Sequence, residues 1–156
     1  MTEEKNQPLY LTKESLQRVH LTLSAWTVQI GDEPIPSFEH ANEADIDALI
    51  YAPQQRFFGA DAYPTLAEKA AIIFYTINKR QIFLNGNKRM STLCLLVFLG
   101  INGKELTVSA DELTAKALWL AKTPSLEFQE IKTDLANWIR THMRDAPAQS
   151  DDQNAS

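Results

Sequence analysis

A single cysteine, Cys94, excludes an internal disulfide, and its apolar neighbours suit an inert core thiol. The longest apolar run, Leu93 to Ile101, falls far short of the ~20 residues that span a bilayer. The three histidines, His20, His40 and His142, lack the spacing of metal ligands. His20 falls on an apolar helix face, as a packing residue would, and His142 suits a helix C-terminus. No G-x-x-x-x-G-K-[ST] segment is present, which excludes a P-loop. A net charge of −5 argues against a broad nucleic-acid footprint. The last absence is local. From Lys69 to Lys104 there is no Asp or Glu, while Lys69, Lys79, Arg80, Lys88, Arg89 and Lys104 all fall there. This basic island in an acidic chain predicts a focused site for an anionic small molecule.

What is present is one helical domain of ordinary composition, with 44% hydrophobic and 22% charged residues. The pattern predicts a disordered start over 1–8, a single domain over 9–144 and a disordered polar tail over 145–156. Thr12 opens a helix with Leu16, Val19, His20 and Leu23 on one face. Gly31 to Phe38, with Pro34 and Pro36, reads as a loop, and Asn42 caps a short helix. Thr65 and Glu68 form a capping box before a helix over Leu66 to Arg80. Asn87 then caps a helix over Lys88 to Asn102, which Gly103 stops. Its apolar side chains from Met90 to Ile101 point in nearly every direction, so this helix is expected at the centre. Ser109 with Glu112 caps another helix, ended at Thr123-Pro124, and Ser125 begins the last. The fold class is therefore all-α, a bundle around a central apolar helix. Met1 to Pro8 is polar and acidic, unlike a targeting leader, so a cytoplasmic protein without membrane contact is expected.

Between the two central helices lies Q-I-F-L-N-G-N-K-R, residues 81–89. A first helical turn favours Asp or Glu, because the macrodipole puts partial positive charge there. Lys88 and Arg89 break that rule, and a broken local rule is expected where function demands it. An anion such as phosphate, held over free backbone N–H groups and the two cations, resolves the conflict. Gly86 allows positive φ and a close backbone approach. Asn87 serves as a plain cap or as part of the anion cradle. Asn85 offers an amide oxygen to Mg²⁺, although a carboxylate is the stronger ligand. Phe83 anchors the loop on the core. No residue of the loop can accept a proton near neutral pH, since Gln81 is an amide.

The loop resembles the signature of the Fic/Doc family, H-x-F-x-[D/E/N]-G-N-[G/K]-R, at Phe83, Gly86, Asn87, Lys88 and Arg89. Lys88 makes it similar to the Doc, or death-on-curing, branch of toxins. The chain from about Leu11 to His142 has a similar layout. The resemblance implies a small helical transferase that uses ATP and Mg²⁺ and moves a phosphoryl or AMP group to a protein hydroxyl. For the Doc branch the target is a translation elongation factor. It implies that the N–H groups of Gly86 and Asn87 hold phosphate, that Lys88 and Arg89 neutralise developing charge, and that position 85 places the metal. It also implies that the Tyr51–Tyr63 segment is an extended flap that pairs with the target peptide. The pattern departs at its first residue, where the family's general base, His, is Gln81. Loss of a base of this kind costs ~10²–10⁴ in rate. Family toxins are restrained by an inhibitory helix, [S/T]-x-x-x-E-[G/N], or by a separate antitoxin. No such helix pattern occurs in this chain, so a separate antitoxin protein is expected. Two readings stay open: a Doc-like toxin lacking its base, and a non-catalytic module that binds a nucleotide or a protein.

Overall fold

The computed structural model describes residues 7–124 and 127–147. Helix α1 spans Lys13–Gln29, α2 Glu43–Tyr51, α3 Leu66–Arg80, α4 Asn87–Ile101, α5 Ala110–Lys122 and α6 Phe128–His142. Two 3-10 turns, Phe38–His40 and Ala52–Gln54, and two short antiparallel ribbons complete the described elements. Strands β1 (Arg56–Phe57) and β2 (Ala60–Asp61) form a hairpin. Strand β3 (Lys104–Leu106) pairs with β4 (Met143–Asp145). Among the described residues no helix is long and apolar enough to cross a membrane.

The helix starts follow their caps. The Thr12 hydroxyl accepts from the Ser15 N–H, Asn42 Oδ1 from the N–H groups of Ala44 and Asp45, Thr65 from Glu68 and Ser109 from Glu112. Each satisfies a donor that the first turn leaves without an intrahelical partner. Ser125, expected to begin α6, lies outside the described residues, as do 1–6 and 148–156, which hold most of the expected disordered ends. Within the described chain α6 starts at Phe128 without a side-chain cap. The β3–β4 pairing was not expected. It carries ordered backbone to Asp145, and the Ala146 N–H donates to the Gly103 carbonyl at 2.9 Å.

Helices α3 and α4 form an antiparallel hairpin, and the other helices pack around it. The all-α expectation holds, but the centre belongs to α3 rather than α4. Helix α3 buries residues on every side, including Ala70, Ala71, Ile73, Phe74, Thr76, Ile77 and Asn78. Helix α4 buries Met90, Cys94, Leu95, Phe98 and Leu99, yet Leu96 is 38% exposed and Ile101 also faces outward. An apolar run longer than one face made α4 look enclosed, while the small alanines of α3 let its neighbours close in on it. Cys94 is the inert core thiol expected, and burial pushes its pKa up to about 12.

The difference between the two faces of α4 is measurable by urea denaturation. Phe98→Ala should cost about 3–5 kcal/mol, as for an aromatic removed from a packed core. Leu96→Ala should cost less than about 1.5 kcal/mol, since its side chain is only partly withdrawn from water. Equal losses would restore α4 to a fully enclosed position.

Candidate functional site

The reversal between α3 and α4 begins at Gln81. This residue caps α3 in the left-handed conformation, with φ 48° and ψ 56°. For a side chain other than glycine that conformation costs roughly 1–2 kcal/mol. It turns the side chain away from the helix, and Gln81 lines an open cleft of about 500 Å³. Ile82 and Phe83 then turn inward and are buried, while Leu84 and Asn85 turn out.

Two devices hold the loop in this shape. Phe83 sits in a cluster with His20 and Phe38, at ring-centroid distances of 5.6 and 5.9 Å. The Asn87 side chain clasps the backbone of the same residue. Its Oδ1 accepts from the Phe83 N–H at 2.9 Å, and its Nδ2 donates to the Phe83 carbonyl at 2.7 Å. Asn87 is therefore not the cap expected from the sequence. Gly86 is the N-cap of α4, with φ 80°, and Asn87 is the first helical residue. The reason is competition: the amide closes the loop behind it instead of capping the turn ahead.

Gly86 also approaches the core closely, since a Cβ there would lie 3.4 Å from Ile35 Cγ2. Its N–H is taken by Asn85 Oδ1 at 2.8 Å. No side chain among the described residues caps α4. The N–H groups of Asn87, Lys88 and Arg89 are thus the unclaimed donors of the first turn. Of the two N–H groups expected to hold phosphate, that of Gly86 is therefore engaged and that of Asn87 is not.

Gln81, Asn85, Gly86, Asn87, Lys88 and Arg89 all line the one cleft. The rest of the basic island does not join them. Arg80 pairs with Asp45, Lys79 donates to the Thr123 carbonyl, and Lys104 pairs with Asp145. Lys69 is buried near the other end of α3, where its ammonium donates to the Pro53 carbonyl at 3.1 Å. Residues 69 and 81 are twelve apart on one helix, about 18 Å at 1.5 Å per residue. A stretch continuous in sequence is therefore divided between two ends of a helical hairpin.

The β1–β2 hairpin lies at that far end. Arg56 and Asp61 line a different cavity with Leu66, Lys69 and Asn102. Other residues of the expected flap, Tyr51–Tyr63, reach toward the C-terminal end of α3, since Tyr51, Gln55 and Tyr63 line a further pocket with Thr76 and Arg80. The segment that borders the cleft is the loop after α1, through Asp32, Glu33 and Ile35. The sequence marked it only as a proline-containing connection, and nothing local links it to residues some fifty positions later.

Asp32 is the main electrostatic partner of the site. Its Oδ2 lies 3.1 Å from Arg89 Nη2. The Glu33 backbone N–H and the Arg89 guanidinium hold its carboxyl below the usual range, so it is ionised. Arg89 also lies over the Trp26 ring, 5.1 Å from its centroid. Asn78 lies under the cleft. It is 6% exposed, its Nδ2 donates to the Phe74 carbonyl, and its Oδ1 finds no partner among the described residues. Among those residues no group of three His, Cys, Asp or Glu side chains forms a metal cluster. Oxygen donors lining the cleft are the carboxylates of Asp32 and Glu33 and the side-chain amides of Asn78, Gln81 and Asn85.

His20 packs in the core, as its place on an apolar face suggested. It is buried beneath Phe83, and burial lowers its pKa, opposed by a weaker contact with the Pro36 carbonyl. His142 is the last residue of α6, at the helix C-terminus as expected, with Nδ1 2.8 Å from the Trp138 carbonyl.

Comparison with known proteins bears on the same segment. The family model described as "Fic/DOC family" matches residues 10–99, more than half of the chain, and takes in the whole loop. A curated relative, "Toxin Doc" of Mycolicibacterium smegmatis (strain ATCC 700084 / mc(2)155), is 36% identical over 66 residues. That alignment covers 42% of this chain and 51% of the relative, so the chain spans about half the length of the protein it matches. No solved structure matches.

The pKa of His20 sets a pH dependence on the loop anchor. A histidine whose folded pKa lies below its unfolded value of 6.5 is neutral in the fold and binds a proton on unfolding. Stability should therefore fall as pH drops below about 6.5. Thermal unfolding between pH 7.5 and 5 should show this decline, and His20→Leu should remove part of it. An unchanged slope in the variant would place the titration elsewhere.

Proposed function

The chain belongs to the Fic/Doc family, and we propose that it is a Doc-like toxin whose cleft binds the phosphates of ATP at the start of α4. The observation that carries this reading is the set of unclaimed N–H groups at Asn87–Arg89, joined in one cleft by the Lys88 and Arg89 side chains. Backbone donors at a helix N-terminus and two cations suit a polyphosphate. Arg89 need not release Asp32 to bind it, because a guanidinium carries five N–H donors.

The reaction proposed for the family's complete site is transfer to a protein hydroxyl, such as one on a translation elongation factor. The hydroxyl oxygen forms a bond to the γ-phosphorus, the bond from that phosphorus to the bridging oxygen breaks, and ADP leaves. Attack at the α-phosphorus instead transfers AMP and releases pyrophosphate. In both cases the hydroxyl proton must pass to a base. Lys88 and Arg89 would stabilise the charge that spreads over the phosphoryl oxygens.

Mg²⁺ fits the cleft by donor chemistry. Asp32 and Glu33 supply carboxylates, and Asn85 Oδ1 keeps one lone pair beyond its bond to Gly86. When bound, Mg²⁺ neutralises phosphate charge and draws the oxygens into register.

Residue 81 stands where the proton must go, and Gln81 cannot take it. We therefore read the chain as it stands as competent to hold nucleotide and nearly without turnover. Gln81 itself favours a second reading, a non-catalytic module that binds a nucleotide or a protein on the same scaffold. A toxin of this type works with a separate antitoxin protein, which we propose as its partner.

The substitution Gln81→His separates the readings. An imidazole has a reference pKa of about 6.5, suited to a base at neutral pH. Transfer of label from γ- or α-labelled ATP to protein in a cell extract should rise by about 10²–10⁴-fold. Arg89→Ala in the same background should abolish it. A Gln81→His protein that binds ATP and transfers nothing would leave the binding-module reading.

A further inference from the structure

We propose that the pocket that shares Arg89 with the cleft is a nucleoside subsite, in which the base of the nucleotide packs against Trp26. The inference rests on the reading of the cleft as a phosphate site and adds the place of the rest of the ligand. The pocket has a volume of about 410 Å³ and borders the cleft, because Arg89 lines both. Its walls are Trp26 and Leu23 from α1 and Leu93 from α4. It is an apolar recess beside a charged one, which is the division of chemistry within a nucleotide itself.

Trp26 is the unusual member. An indole is among the most apolar surfaces a protein can bury, yet Trp26 is 46% exposed. The Arg89 guanidinium lies over it, 5.1 Å from the ring centroid. The same guanidinium that lies over the indole donates to Asp32 at the edge of the phosphate cleft. A base bound beside Trp26 would have its phosphates within reach of the same guanidinium.

The polar groups around the pocket suit a neutral ligand with donors of its own. The Thr22 hydroxyl donates to the Arg18 carbonyl and the Thr92 hydroxyl to the Arg89 carbonyl, each at 2.9 Å. Both retain oxygen lone pairs that can accept from an exocyclic amine or a ribose hydroxyl. No acidic residue is among those that line the pocket. Its size lies within the range of small-molecule sites, about 300–1,000 Å³.

The test compares Mg-ATP with Mg-tripolyphosphate by calorimetry on the unmodified chain, Trp26→Ala and Trp26→Phe. Tripolyphosphate offers the charge without the base. The unmodified chain should bind ATP more tightly than tripolyphosphate by about 5- to 150-fold, the range that stacking one base on an aromatic ring contributes. Trp26→Ala should erase that preference and leave tripolyphosphate affinity unchanged, and Trp26→Phe should restore most of it. Circular dichroism checks that both variants keep their helices. A preference that survives in Trp26→Ala overturns the subsite and leaves the phosphate site standing. Equal loss of both ligands in Trp26→Ala also overturns it, because Trp26 would then act only by placing Arg89. Absence of binding by either ligand to the unmodified chain overturns the subsite and the phosphate reading together.

Discussion

The site depends on one side chain that closes a loop. Asn87 holds both the N–H and the carbonyl of Phe83, four residues back, at 2.9 and 2.7 Å. These two bonds satisfy backbone groups that a tight reversal would otherwise leave unpaired. They also set where α4 begins. Because the amide is occupied behind, it cannot cap the turn ahead, and among the described residues no side chain caps the first N–H groups of the helix, whose residues line the cleft. Phe83 gains its fixed position from the same bonds and packs between His20 and Phe38. The loop is therefore tied to the core at one residue, and its polar groups project from that anchor.

Two contacts hold Arg89 at the cleft. Arg89 is drawn toward Asp32 by charge and toward Trp26 by the face of the indole. Both partners come from α1 and the turn that follows it, so α1 fixes the orientation of a residue on α4. Lys88 lines the cleft beside it. An exposed pair such as Asp32–Arg89 adds little to stability. Its consequence is geometric, since it keeps the guanidinium at the junction between the anionic cleft and the apolar pocket.

Much of this was legible in the sequence, for identifiable reasons. The bounds of α3 followed from Thr65 and from the cations of its last turn, and residues 81–89 announced themselves by placing Lys88 and Arg89 against the macrodipole. What was not legible required contacts between distant residues. Asp32 and Trp26 carry no local mark of their distance from Arg89. The flap expected over Tyr51–Tyr63 gave no sign that its middle, residues 56–61, folds into a hairpin beside Lys69, at the opposite end of α3 from Gln81. The role of Asn87 was missed because an asparagine before a helix fits a cap equally well, and only the coordinates of Phe83 decide between them. The apolar run of α4 overstated its burial, since sequence hydrophobicity does not say which face a neighbour covers.

The central claim is that the first turn of α4 is a phosphate cradle, and backbone amide shifts test it most directly. In a ¹⁵N-resolved NMR titration with Mg-ATP, the largest changes should fall on the amides of Asn87, Lys88 and Arg89, with the Arg89 side chain moving in parallel. Changes centred on Arg56 and Lys69 at the far end of α3, or no saturable change at residues 87–89, would contradict it.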